Sequence, residues 1–192
     1  MNRALDVAIA GTGLVVSSPL IALGALAVKL EDRGPVLYKQ VRVGKNGVDF
    51  ELLKLRTMIV GAEKQGAGYA VDKGDSRITR AGRLLRRLSV DELPQLWNVV
   101  RGDMSVIGPR PTLRYQVDAY DEEQLHRLDV KPGITGWAQI HGRATLPWSD
   151  RIELDLWYVR HHDWKTDLLI LLRTPLALFG GTYKGPGGGW RS

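Results

Sequence analysis

The chain contains no cysteine among its 192 residues, which excludes a disulfide framework, thiolate chemistry and any Cys-ligated metal site, and permits a reducing compartment. Negative charge is also scarce: 21 Asp and Glu stand against 27 Lys and Arg, a formal charge of +6. A balance of this sign favours an anionic partner, whether nucleic acid, anionic lipid or a phosphorylated substrate. No internal repeat is visible, and the length suits one domain with a genuine core rather than two.

Charge is missing altogether from Val7 to Val28, VAIAGTGLVVSSPLIALGALAV. Roughly 22 residues in a helix reach on the order of 33 Å, enough to cross the hydrocarbon core of a bilayer. A soluble DNA-binding domain has no use for such a segment, so nucleic acid is not an expected partner. A cleaved signal peptide fits poorly, because Arg3 is the only basic residue before the run, Asp6 comes after that arginine, and the apolar stretch exceeds a typical h-region. In its middle stands Ser17-Ser18-Pro19. Pro19 lacks a backbone donor and crowds the carbonyl four residues earlier, so a kink or break is expected there, with a serine placed to satisfy a freed group. Local sequence is compatible with a kinked spanning helix and equally with a re-entrant hairpin that holds Arg3 and Lys29 at one headgroup layer.

Beyond Val28 the chain turns polar. Gly34 to Met58 alternates apolar and polar residues on both sides of Lys45-Asn46-Gly47, a strong β-hairpin signal. Gly61 to Ser76, rich in Gly, Lys and Asp, reads as a mobile surface loop. From Ile78 the pattern is mainly helical, interrupted at Gly108 to Pro111 and Lys131 to Gly136. Trp148, Trp157, Tyr158 and Trp164 suit either a membrane surface or core packing. The tail, YKGPGGGWRS, reads as flexible.

The densest chemistry lies in LRRLSVDELPQLWNVVRGDMSVIGPRP, Leu85 to Pro111, where Asp91 and Glu92 stand side by side. Ser89-x-x-Glu92 matches a capping box; in a competing register Asp91 is itself the N-cap and Pro94 falls in the first turn, which suits proline better. The chemical alternative rests on the surroundings. Arg77, Arg80, Arg83 and Arg86 recur every third residue and would form a basic stripe on a helix, with Arg87 beside it. Such a stripe is either a solvated face or the approach to a phosphate site, and a helix N-terminus there would favour an ionised carboxylate. Attack by an aspartate on a diphosphate needs its phosphate oxygens neutralised, by arginine and usually Mg²⁺. Arg110, between two prolines, is held on a stiff turn suited to a bidentate phosphate contact.

These residues resemble the small monotopic phosphoglycosyl transferases, the bacterial sugar transferase family that starts polyprenyl-linked glycan assembly. The likeness is carried in order by QVRVGKNGVDFELLKLRTM, SVDELPQLWNVVRGDMSVIGPRP, KPGITGWAQIHGR and ELDLWYV, together spanning most of residues 35 to 160. The resemblance implies that Asp91 attacks the β-phosphorus of a UDP-sugar, releases UMP and holds a phosphosugar that polyprenyl phosphate then takes. Glu92 matches the second member of the catalytic dyad, assisting either Mg²⁺ binding or the lipid acceptor. Asp91 is the implied metal contact. Arg86, Arg87 and Arg110 are the implied phosphate-binding residues, and Lys54, Arg56, Gln139, His141 and Arg143 are candidates for substrate or headgroup contact. His141 replaces the asparagine usual in this segment, and its plainer alternative is an ordinary surface histidine.

The resemblance also favours the re-entrant hairpin with its break at Ser18 and Pro19. The expected architecture is therefore helix-rich α+β: a re-entrant membrane helix over residues 1–30, a cytoplasmic catalytic domain over 31–180 with interfacial amphipathic helices and a short β-hairpin, and a Gly-rich tail over 181–192. The additional spanning helices of longer relatives are not expected. Partners are a UDP-sugar, polyprenyl phosphate and a phospholipid membrane at the cytoplasmic face of the bacterial inner membrane, with a homodimer left open. Two other classes stay open: a membrane-attached glycosyltransferase that releases UDP, and a non-catalytic adaptor for anionic lipid.

Overall fold

The computed structural model describes residues 2–65, 68, 71, 74–142 and 146–180. The apolar run forms one helix, α1, Arg3–Asp32. Asn2 caps it by accepting from the Ala4 N–H at 3.0 Å, and Arg33 closes it in the left-handed conformation, its N–H bonded to the Lys29 carbonyl. The expected helix-break-helix is not seen, since α1 continues through Pro19. Proline leaves the Val15 carbonyl without its helical donor, and the Ser18 hydroxyl donates to that carbonyl at 2.8 Å. Ser17 likewise donates to the Gly13 carbonyl at 2.6 Å. Ser18 thus replaces the bond that the proline removes, which is how such helices tolerate it, while Ser17 adds a second hydroxyl-to-carbonyl contact just before it.

One face of α1, marked by Asp6, Ala10, Ser17, Gly24 and Val28, is buried against the rest of the chain. The opposite face leaves Val15, Val16, Leu20, Leu23, Leu26 and Leu30 exposed. Both ends are tied to the folded domain. Arg3 donates to the Val99 and Val100 carbonyls and Asp6 accepts from Ser105 Oγ and the Val106 N–H, each at 2.8 Å. At the other end Glu31 accepts from the Arg80 and Ala81 N–H groups, and Asp32 pairs with Arg56.

Strands β1, Leu37–Val43, and β2, Asp49–Leu55, pair antiparallel from Leu37↔Leu55 to Val43↔Asp49. Asn46 and Gly47 take φ of 56° and 76°, the positive values for which Asn-Gly is selected, as read from the sequence. Helices α2, Arg80–Arg87, and α3, Gln95–Arg101, follow. A second sheet not anticipated from the sequence then appears: β3, Ser105–Ile107, lies parallel to β4, Gly133–Thr135. Each strand has three residues, too short to show an alternation. Their pairing accounts for the breaks read at Gly108 and Lys131. Short helices α4, Arg114–Val117, and α5, Glu122–Leu125, lie between these two strands in the chain, and α6, Trp137–Ile140, follows them. The chain closes with α7, Trp148–His161, and α8, Trp164–Gly180.

Two apolar clusters hold the elements together, and α1 enters both. Ala10 joins Leu52, Val99, Met104, Val106, Ile107, Tyr158 and Ile170, while Val28 joins Leu55, Leu85 and Val90. The four aromatic residues weighed between core and surface divide. Tyr158 is core, its hydroxyl donating to Asp167 at 2.7 Å; Trp148 is partly buried under Arg127; Trp157 is exposed but stacked on Trp137; Trp164 is 70% exposed. Trp164 starts an outward stripe with Leu168, Leu172 and Leu176 along α8.

Helix α2 lies hard against the segment just after β2. A Cβ added at Gly82 would stand 2.0 Å from the Thr57 carbonyl oxygen. Gly82→Ala should therefore destabilise the protein by about 1–3 kcal/mol, because backbone cannot yield as a side chain can. Denaturant midpoints of the two proteins measure it, and an unchanged midpoint would contradict this packing.

Candidate active site

The acidic pair sits where the chain reverses between α2 and α3. Ser89 adopts φ 55°, a left-handed turn uncommon outside glycine, asparagine and aspartate. The single turn Val90–Glu92 follows, with Val90 buried in the second apolar cluster as its anchor. Pro94 opens α3, where its missing N–H is not needed. Neither capping register occurs. Ser89 and Pro94 make no side-chain cap bond, and Asp91 makes no hydrogen bond among the described residues. The N–H groups a cap would use are taken by backbone: Leu93 bonds the Val90 carbonyl, Leu96 that of Leu93 and Trp97 that of Pro94.

The two neighbouring carboxylates are treated very differently. Glu92 is gripped by Lys54 Nζ at 2.9 Å from β2 and by Arg110, whose second nitrogen reaches the other oxygen at 3.4 Å. Burial alone would push Glu92 up, but Arg110 and Lys54 outweigh it and hold its carboxyl well below the ordinary carboxylate range. Asp91 is only 8% exposed. Burial, reinforced by the negative charge of Glu92, raises its pKa, while Lys54, Arg86 and Arg110 pull partly the other way. Burial pushes the Lys54 ammonium down despite its pairing. The result is one saturated carboxylate beside one that is unengaged, in a pocket of three cations.

Arg86, on the last turn of α2, donates to Thr57 Oγ1 at 2.7 Å, which turns it inward toward the pair. Arg110, its side chain 47% exposed, presents its outer edge to solvent. Asn98 and Thr57 escaped the sequence reading. Fully buried Asn98 accepts from the Leu53 N–H at 3.0 Å and donates to the Glu51 carbonyl at 2.7 Å, locking α3 onto β2 beside Lys54. A lone asparagine or threonine in such segments carries no local signal of this role.

Other residues singled out from the sequence lie elsewhere. The arginine stripe is broken: Arg77 precedes α2 and is buried, clasping Asp75 and the carbonyls of Ala62, Gln65 and Gly68. That clasp organises the described part of the Gly61 to Ser76 loop. Arg87 is exposed on α2 without a bond to the cluster. Arg56 is committed to Asp32 and to the Pro35 and Met58 carbonyls at the foot of α1. Gln139 is buried with neither amide atom bonded, and no bond joins it to Asp91. His141 packs against Trp137 and bonds its carbonyl at 2.9 Å. Arg143 and the Gly-rich tail lie outside the described residues. Among the described residues no group of three or more His, Asp or Glu is gathered to hold a metal.

A family model described as bacterial sugar transferase matches residues 1–181. The chain belongs to the bacterial sugar transferase family. Among relatives of this sugar transferase chain, a UDP-N-acetylgalactosamine-undecaprenyl-phosphate N-acetylgalactosaminephosphotransferase of Aeromonas hydrophila is 42% identical over 187 residues, covering 94% of the chain and 44% of the relative. A UDP-glucose:undecaprenyl-phosphate glucose-1-phosphate transferase of Caulobacter vibrioides is 43% identical over 185 residues, 92% of the chain and 69% of the relative. A Bacillus subtilis sugar transferase is 44% identical over 174 residues and is covered over 85% of its length. The chain thus spans less than half of the Aeromonas protein and most of the Bacillus one.

Proposed function

We propose that this chain is a phosphoglycosyl transferase that moves a sugar-1-phosphate from a UDP-sugar to polyprenyl phosphate through an Asp91 intermediate. The observation that carries the reading is the contrast at the dyad: Asp91 unengaged, Glu92 held by Lys54 and Arg110. In the first step an Asp91 carboxylate oxygen bonds to the β-phosphorus and the bond from that phosphorus to the bridging oxygen breaks. UMP leaves with the electron pair. In the second step an oxygen of the polyprenyl phosphate bonds to the same phosphorus, the acyl phosphate bond breaks, and the Asp91 carboxylate returns. Both steps accumulate negative charge on phosphoryl oxygens, and fixed cations aimed there lower the barrier. Arg86, Arg110 and Lys54 are the residues placed to do so. Relatives named for undecaprenyl phosphate and a UDP-sugar support the same two substrates.

Mg²⁺ fits this site only in part. With no metal-binding cluster among the described residues, Asp91 is the ligand they offer and the donor's phosphates would complete the shell, as is common for this ion. When bound, Mg²⁺ would neutralise diphosphate oxygens that the arginines leave uncovered.

Membrane placement follows from α1. It is long and apolar enough to cross a bilayer, yet Arg3 and Asp6 at one end and Glu31 and Asp32 at the other dock on the same domain. A helix fastened at both ends to one water-facing body lies in the membrane surface with its bare apolar face in lipid and does not cross it. The exposed Trp164 to Leu176 stripe adds a second interfacial face. Both ends of α1 thus lie on one side of the membrane, and we propose that this side is the cytoplasmic one.

Nucleotide identity tests the reaction. Purified protein with UDP-sugars, Mg²⁺ and polyprenyl phosphate should release UMP, and with donor alone should gain one phosphosugar in intact mass. UDP in place of UMP overturns the proposal. A pH profile adds a second check. Nucleophilic attack needs ionised Asp91, whose raised pKa means activity is lost as pH falls through a value above the ordinary 3.8. Lys54→Met removes a charge that lowers that pKa, so the acid limb of kcat/KM should move to higher pH; Glu92→Gln removes one that raises it, so the limb should move down. Limbs that stay in place in both variants would mean that Asp91 ionisation does not control the rate.

A further inference from the structure

We propose that Arg127, held by Asp155, is a positioning residue for Arg110, an assignment that rests on the phosphate-binding role proposed above for Arg110. Pro109-Arg110-Pro111 can anchor itself poorly, because two of its three residues have no N–H to donate. Its carbonyls are instead taken by donors from distant segments. Pro109 is held by the Gly133 N–H at 2.8 Å, Pro111 by Arg42 at 3.2 Å, and Arg110 itself by Arg127 Nη2 at 2.8 Å. Arg127 is therefore the side chain that fixes the peptide from which the Glu92-binding guanidinium projects.

The guanidinium of Arg127 is fully spoken for. Nε and Nη2 both reach Asp155 Oδ2 at 2.7 Å, and Nη1 reaches the Tyr120 hydroxyl at 2.7 Å and Thr112 Oγ1 at 3.4 Å. Its plane lies over the Trp148 ring, 5.6 Å from the centroid. Arg127 is 4% exposed and Asp155 1%. A buried ion pair is a poor stabiliser, since an apolar pair of equal volume commonly does as well or better. What an apolar pair cannot do is donate to the Arg110 carbonyl. The rigid fork of arginine serves Asp155, Tyr120 and that carbonyl at once, a geometry that lysine, with one nitrogen, cannot reproduce. Among the described residues Asp155 Oδ1 has no partner, so the carboxylate is kept at its full cost for the contacts of the other oxygen.

A double-mutant cycle tests this with full-length protein in a lipid nanodisc, reading total nucleotide released at saturating donor and thermal midpoint for each variant. Arg127→Lys should lower kcat by about 10-fold or more, the usual range for a group that orients a functional side chain. In an Arg110→Lys background the same change should cost less than about 2-fold, because the fork it positions is already gone, while the midpoint should fall equally in both backgrounds. Equal losses of kcat in the two backgrounds, or a wild-type rate for Arg127→Lys, overturn the assignment. If Arg127→Lys does not fold, Tyr120→Phe, which frees one Nη1 contact, goes through the same cycle with the same criteria. Because total nucleotide is read, UDP in place of UMP sinks the proposed reaction yet leaves the Arg127–Arg110 coupling measurable.

Discussion

Asp91→Asn should reduce nucleotide release by about 10⁴-fold or more, the scale on which removing a covalent nucleophile acts. Asparagine keeps the size and shape of the side chain, and its amide cannot attack phosphorus. The change also separates chemistry from architecture. A cap tolerates asparagine with little loss, and Asp91 caps nothing here. Removing a buried charge beside Glu92 relieves repulsion, so the thermal midpoint should stay level or rise as activity disappears. Glu92 cannot take over, because Lys54 and Arg110 occupy both of its oxygens. The covalent phosphosugar adduct should vanish from the intact mass in the same variant. Activity within tenfold of wild type would leave Asp91 a bystander and favour the glycosyltransferase or adaptor alternatives.

Arg110→Ala should cost about 10²–10³-fold in kcat, the range for deleting one charged donor aimed at developing negative charge. The loss has two sources that point the same way. The phosphoryl oxygens lose a cation, and Asp91 loses one of the three charges that favour its ionised form, so its acid limb should also move to higher pH. Glu92 would keep only Lys54. Measuring kcat at a pH well above both limbs isolates the first source. A loss confined to low pH would show that Arg110 serves Asp91 ionisation alone and does not act on the phosphoryl group.

The parts of the site that were legible in the sequence are those whose cause is local. Asn46-Gly47 needs positive φ wherever it occurs, so the β-hairpin could be placed before any tertiary contact was known. Asp91 and Glu92 fall in the single turn just before Pro94, and Pro94 opens α3 as its missing N–H allows, although neither capping register read for the acidic pair forms. The arginines were read less well because a guanidinium shows its role only through its partner. Arg77 shared the spacing of Arg80, Arg83 and Arg86, yet the chain is not helical at Arg77, which closes a loop instead. Arg56 looked like its neighbour Lys54, two residues away, but stands just past the end of β2 and pairs with Asp32 instead of Glu92. Gln139 and His141 stood in a motif of the family, but His141 bonds and packs on Trp137 of α6, and Gln139 is buried with neither amide atom bonded among the described residues.

By itself the sequence determined a long apolar helix at the start of the chain, one β-hairpin, an acidic pair at a helix entrance, an excess of positive charge and a family likeness. Each of these depends on hydrophobicity, φ preference or residue order within a few positions. Only the tertiary structure decided that α1 is fastened at both ends to one domain, that Glu92 is saturated while Asp91 is unengaged, and which arginines meet them. Those outcomes depend on pairs far apart in the chain: Arg110 with Glu92 across 18 residues, Arg56 with Asp32 across 24, Arg127 with Asp155 across 28 and Arg86 with Thr57 across 29. Contacts over such separations are selected by the packing that brings their backbones together, and no local pattern of residues encodes that choice.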